Sequence, residues 1–231
     1  MRRVATAILV LLAVLAVGGA VVDRLMVRHA QERLLTLAEE RVDLDEDAVV
    51  VIDGFPFLTQ VAAGRLAEVR GTTRALVVDG WELQQVRVTA RGVQPEEPYR
   101  AETVEINVTV PAGTLQTAMN DAVPLPGSPL RVETGEDALQ LSVPVVGFEL
   151  TALLEPVVRD GGIGVEVEAV TAGSAALPND VTARLEELVG GLQIRLPQLP
   201  DGLAPTRLAV ENDGLHVRLE GRDVELDSWS G

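Results

Sequence analysis

Val104-Glu105-Ile106-Asn107-Val108-Thr109-Val110, closed by Pro111, decides the fold class. Apolar and polar side chains alternate with a period of two, the mark of a strand with one dry and one wet face. Pro111 cannot extend the ladder, and Ala112 to Ala122 then reads as a helix. The alternation recurs on either side. Upstream, Val86, Val88 and Ala90 alternate with Arg87, Thr89 and Arg91. Downstream, Leu139, Leu141, Val143 and Val145 alternate with Gln140, Ser142 and Pro144. Phe148, Leu150, Ala152 and Leu154 form another apolar face, and Ile163, Val165, Val167 and Ala169 a further one opposite Glu166 and Glu168. Leu208 and Val210 face Leu215, Val217 and Leu219 across Asn212-Asp213-Gly214, a strong hairpin signal. So many one-sided strands predict an α+β architecture: a largely antiparallel sheet with one wet face and a few helices on its dry face. Strands on both sides of 112–122 allow two subdivisions of that one sheet.

The remaining helices read from composition and punctuation. Asp23 to Arg41 has no Gly or Pro and is rich in Leu, Arg, Glu and Ala. Val49 to Ile52 reads as a short buried strand that turns at Asp53-Gly54 into Phe55-Pro56-Phe57. Pro56 suits a first helical turn, so Phe57 to Leu66 reads as a short helix, weakened near its end by Gly64. Pro178 to Val189 reads as a helix ended by Gly190-Gly191.

Ahead of this lies Met1-Arg2-Arg3, followed by the uncharged run Val4 to Val22. Its length approaches the ~20 residues of a membrane span and exceeds the ~7–15 of a signal-peptide core. The arginines favour a cytoplasmic N-terminus and place the rest of the chain outside. Two readings stay open: an uncleaved anchor, or a cleaved signal with Gly18-Gly19-Ala20 as small residues near the cut. A buried helix of a soluble protein is the bland third. The expected organisation is a hydrophobic helix over 1–22 and an extracytoplasmic domain over 23–231, with the helix continuing outward from the membrane segment.

The chain has 231 residues, 47 % of them hydrophobic and only 3 % aromatic, so its core must be aliphatic. A net charge of −16 repels nucleic-acid phosphates and opposes a polybasic grip on anionic lipid. The absence of cysteine excludes disulfides, thiolate metal sites and Cys nucleophiles. The two histidines, His29 and His216, are scattered and read as surface residues. Gly161-Gly162-Ile163-Gly164 precedes no helix and reads as a hairpin turn; Asp43, Asp45 and Asp47 lack the Gly and distal Glu of a calcium loop and read as a solvated acidic turn. No nucleophile elbow, phosphate loop or dinucleotide fingerprint occurs. No catalytic residue, metal site or cofactor is expected.

Two stretches stand out: Gly54-Phe55-Pro56-Phe57-Leu58-Thr59-Gln60 with Gly64-Arg65, and Leu196-Pro197-Gln198-Leu199-Pro200-Asp201-Gly202-Leu203. Core packing with a fixed helix entry, and a rigid crossover loop, are the bland accounts; the sharper one is that both line a ligand mouth. Together with the leading hydrophobic segment and the closing Asn212-Asp213-Gly214-Leu215, they make the chain beyond Val22 resemble the LmeA-like phospholipid-binding family of actinobacterial cell envelopes. The resemblance implies an extracytoplasmic protein that holds phospholipid, in a fold related to tubular lipid-binding domains, with a curved sheet wrapped around a long helix. One branch of the family is linked to maturation of mannan-type glycolipids. Within the matched stretches, Phe55, Phe57, Leu58, Val61, Leu196 and Leu199 are the candidates for acyl-chain contact. Arg65 is the candidate for a phosphate, with Arg70 beside it; a solvated face is the bland account of both.

Three functions follow. A lipid-binding module would bury acyl chains in an aliphatic groove, with phospholipid and the cytoplasmic membrane as partners. An envelope scaffold would have a filled core and no ligand. An enzyme of envelope glycolipid assembly would need clustered carboxylates in a cleft.

Overall fold

The computed structural model describes residues 2–40, 42–122, 130–135, 137–145, 148–159, 161–173, 175–176, 193–194 and 202–226. The expected helix Pro178–Val189 and the Pro-rich loop with Leu196 and Leu199 lie outside these residues. Runs of antiparallel strands broken by a few helices make the expected α+β architecture, but the strands form two sheets instead of one.

The first sheet runs β1 (Asp43–Leu44), β3 (Leu66–Val78), β4 (Trp81–Val93), β5 (Arg100–Val110), β13 (Gly214–Glu225), β12 (Leu203–Glu211), with β2 (Val49–Asp53) also paired to β3. The second runs β10 (Ala175–Ala176), β9 (Gly162–Ala172), β8 (Phe148–Arg159), β7 (Leu139–Val145), β6 (Arg131–Thr134), with β11 (Gln193–Ile194) on β9. Every pairing is antiparallel. Among the described residues neither sheet closes on itself. Edge strand β12 packs against β8 and β9, and one aliphatic cluster joins the sheets, with Val110, Leu115, Leu154, Ile163, Leu215 and Val224 nearly inaccessible.

The chain passes from β5 of the first sheet to β6 of the second through α3 (Ala112–Ala122), which buries Leu115 and Met119, and returns to the first sheet with β12 and β13. Its polar residues set the entry to β6: Asn120 Oδ1 accepts from the Leu130 amide at 2.9 Å, and Gln116 Oε1 from the Val132 amide at 3.3 Å. The closing hairpin turns at Asn212-Asp213, with Glu211 opposite Gly214. Gly214 (φ +151°) admits no side chain, since a Cβ there would lie 2.4 Å from the Val110 carbonyl oxygen.

Three local readings are corrected. The short helix, expected to reach Leu66, is α2 (Phe57–Ala62); Leu66 opens β3 and is buried. Gly64 (φ +67°) ends the helix: its amide donates to the Val61 carbonyl and the Arg65 amide to that of Gln60. Strand β3, among the longest here, was not legible, because Thr73 is buried and Gly71 interrupts the apolar pattern. On β9 the apolar face is not kept to Ala169. Leu153 pairs with Ala169 but Leu154 with Val167, so Glu168 is an inserted residue. The bulge reverses the parity, and Val170 is the buried residue instead.

A single helix, α1 (Arg2–Glu39), carries the chain from its N-terminal run to the first sheet, so the helix expected from Asp23 is continuous with the segment before it. It packs on β2 and α2, burying Val27 and Asp23. Among the described residues no helix is long and apolar enough to cross a membrane. Side chains of α1 are described from Val17 onward.

Candidate functional site

Where α1 crosses β2, the chain makes a sharp excursion. Gly54 (φ +101°) and a cis Phe55–Pro56 bond turn β2 into α2. Asp23 of α1 is 3 % exposed, and its Oδ1 accepts from the Leu58 amide at 2.8 Å. This carboxylate caps the open first turn of α2 from a neighbouring helix, satisfying one of the amides a helix start leaves unpaired. Gln60 fixes the other side: its Oε1 accepts from the Ala67 amide at 2.7 Å and its Nε2 approaches the Asp53 carbonyl at 3.4 Å. The excursion is therefore tied to α1, β2 and β3 together.

The structure sorts the sequence candidates in this region. Phe57 turns inward and is buried, which is the core-packing account of that residue. Phe55, Leu58 and Val61 stay out, at 59, 42 and 40 % exposure. Arg65 is ion-paired with Glu102, and Arg70 with Asp53 and Glu68, so carboxylates already meet both proposed phosphate ligands. Leu196 and Leu199 lie outside the described residues.

What sequence reading missed are Arg24 and Arg28. With Val27, Val51, Ile52 and Phe55 they line an open groove of about 560 Å³ between α1 and β2. The Arg24 guanidinium lies 5.5 Å from the centre of the Phe55 ring, a cation–π contact. Among the described residues no carboxylate is within ion-pairing distance of Arg24 or Arg28: Asp53 is taken by Arg70, and Asp23 by the Leu58 amide. Two uncompensated cations beside an apolar wall suit an amphiphile with an anionic head. The signal lay in the helical spacing of Arg24 and Arg28, four residues apart on one face.

A larger hollow, about 720 Å³, spreads over the polar face of the first sheet. Here two of the four lining arginines are answered internally, while Arg87 and Arg207 have no ion pair among the described residues. Arg74 pairs with Asp47 and Asp45, Arg218 with Glu105, and Arg218 Nε donates to Asn107 Oδ1 at 2.9 Å. The Asp43–Asp47 turn is thus a partner for Arg74. Burial pushes the Asp47 carboxyl up, but the hydrogen bonds and charge of Arg74 outweigh it and hold Asp47 below the ordinary carboxylate range. At one end His216 Nε2 is 2.8 Å from Asp213 Oδ1 and 3.7 Å from Glu211, with its Nδ1 3.4 Å from Thr109 Oγ1. The hydrogen bond to His216 holds the Asp213 carboxyl below its usual range. These groups lock the hairpin turn to β5.

A family model matches residues 21–220, described as LmeA-like phospholipid-binding. The chain belongs to the LmeA-like phospholipid-binding family. The match opens within α1 and takes in Asp23, Arg24, Arg28 and the whole Gly54–Arg65 excursion. Membership in the LmeA-like family supports phospholipid binding in general for this chain. None of the curated proteins and none of the solved structures matches it.

Proposed function

We propose that this protein holds a phospholipid at the outer side of the cytoplasmic membrane, to which Val4–Val22 anchors it, and that it acts by binding and not by catalysis. The observation that carries this reading is the groove between α1 and β2, where Arg24 and Arg28, without carboxylate partners among the described residues, lie beside Val27, Val51, Ile52 and Phe55. A phosphate would take charge-assisted hydrogen bonds from the guanidinium groups. Acyl chains would follow the apolar wall and gain about 0.8 kcal/mol for each CH₂ withdrawn from water. The family match supports the ligand class. Support of envelope lipid or glycolipid maturation is the cellular role we attach to such binding.

Native mass spectrometry of the full chain, followed by organic extraction, tests it. A bound phospholipid of defined mass, diminished by the joint change Arg24→Ala and Arg28→Ala, is the expected result. A wild-type chain that carries none and takes up none from vesicles would sink the reading. In that case the second reading stands, an envelope scaffold without ligand. It is favoured by the continuous aliphatic cluster that already fills the junction of the sheets.

A further inference from the structure

The exposed apolar residues of the molecule are not evenly spread. Val17, Val21, Val22, Leu25 and Met26 on α1 are exposed, and beside them so are Phe55, Leu58 and Val61. The α2 group sits at a fixed height on α1, because the Leu58 amide is 2.8 Å from Asp23, the first charged residue after Val4–Val22. In a continuous helix each residue adds about 1.5 Å along the axis, so the level of Asp23 is also the level at which the uncharged run ends. Elsewhere among the described residues Leu34 and Leu37 are exposed farther along α1, and the other exposed large hydrophobics, such as Val49, Tyr99 and Val158, lie on strands or loops.

We infer that α2, with Phe55, Leu58 and Val61, is a foot that seats in the headgroup–acyl boundary of the membrane carrying the protein. This rests on the anchor reading above, since it is the bilayer around Val4–Val22 that the foot would meet. Continuity makes the bilayer the occupant: the apolar side chains of α2 stand at the level where the uncharged run of α1 ends, with Asp23 buried on the Leu58 amide and Arg24, over Phe55, the first exposed charge. Charge agrees. The body is acidic, at −16 for the chain, yet the exit of α1 carries Arg24 and Arg28 at the height of lipid phosphates, the one stacked on Phe55. Aromatic and aliphatic side chains beside snorkelling arginines are the composition of an interfacial contact. The Asp23 cap and the Gln60 bridges hold the foot rigidly, so docking would also fix how the two sheets stand above the membrane.

The chain has no cysteine, so single fluorophores can be placed at Leu58→Cys, Ala13→Cys and Val158→Cys in the full protein reconstituted into phosphatidylcholine–phosphatidylglycerol vesicles. Quenching is read with nitroxide-labelled sterols, which enter the bilayer but offer no phosphate to the groove. Nitroxides at the headgroup boundary are expected to quench the Leu58 label, those in the tail region the Ala13 label, and neither the Val158 label. Val61→Cys reports the same surface should the Leu58 label disturb α2. Labels at 58 and 61 that stay unquenched while 13 is quenched would overturn the foot and leave the anchor standing. If 13 is unquenched as well, both fall.

Discussion

The groove beside α1 and the hollow on the polar face of the first sheet invite opposite conclusions from their sizes and from their linings. The hollow is larger, about 720 against 560 Å³. Its cations Arg74 and Arg218 are met by Asp47, Asp45 and Glu105, and its lining runs to Thr72, Thr89, Thr109 and Asn107. Arg87 and Arg207 have no carboxylate partner among the described residues either, and Val86, Val108, Ala209 and Val217 share the lining with these polar groups. The groove is smaller, its cations have no carboxylate partner among the described residues, and Val27, Ile52 and Phe55 stand next to them. Unpaired cations occur on both surfaces, so their position beside the apolar Val27, Ile52 and Phe55, more than volume, separates a site for an anionic amphiphile from a wet face.

The widest break in this comparison would be a third location, between the two sheets. Leu154 sits there at 1 % exposure, on the strand that meets β12. In a filled interior Leu154→Ala should lower stability by about 2–5 kcal/mol, read by thermal or denaturant unfolding. A loss far below that range would mean that the junction already has room, and would move the acyl chains inward from α1.

Next comes the binding contrast itself. Removing Arg24 and Arg28 together should weaken phospholipid retention at least tenfold, since hydrogen bonds to charged groups contribute about 1.5–3 kcal/mol each. Arg74→Ala in the hollow should leave retention unchanged. Equal losses from both would erase the distinction drawn here. Asp23→Ala acts on the same region through structure: it leaves the Leu58 amide without its acceptor and should cost about 1–2 kcal/mol, with faster amide exchange confined to α2. Exchange that rises equally across β3 and β4 would show that Asp23 supports the sheet instead.

Legibility followed periodicity. Strand β5 and helix α3 fall where Val104–Val110 and Ala112–Ala122 placed them, because both patterns are regular and one-sided. Strand β3 was lost because its buried positions include Thr73 and its middle holds Gly71. The division into two sheets was lost because an alternating pattern gives each strand a dry face without naming its partner. At the site, Gly54–Gln60 drew notice for its phenylalanines, yet Phe57 serves the core and Phe55 the surface, a distinction set by the turn at Gly54. The four-residue spacing puts Arg24 and Arg28 on one helical face, but in a stretch rich in Arg and Glu it does not show whether carboxylates meet them. Only the positions of Asp23 and Asp53, each committed to another partner, reveal that they are uncompensated.

The smallest effect concerns the hollow, and it tests whether that surface is self-contained. Asp213 is held below the ordinary aspartate range first by its hydrogen bond to His216, so the folded state favours its ionised form. A depressed folded value adds stability that is present above the unfolded aspartate value of about 3.9 and is lost as pH falls through the lower, folded value. Because the Asp213 side chain is 45 % exposed, solvent screening keeps the contribution below about 1 kcal/mol. Melting temperatures of the wild type and Asp213→Asn should therefore differ slightly at pH 5 to 6 and converge as the pH falls through the lower, folded value. A gap that persists in acid would assign the effect to the shape of the hairpin turn. Phospholipid retention should be untouched throughout, and a loss of ligand with Asp213→Asn would move the binding surface from the groove to the hollow.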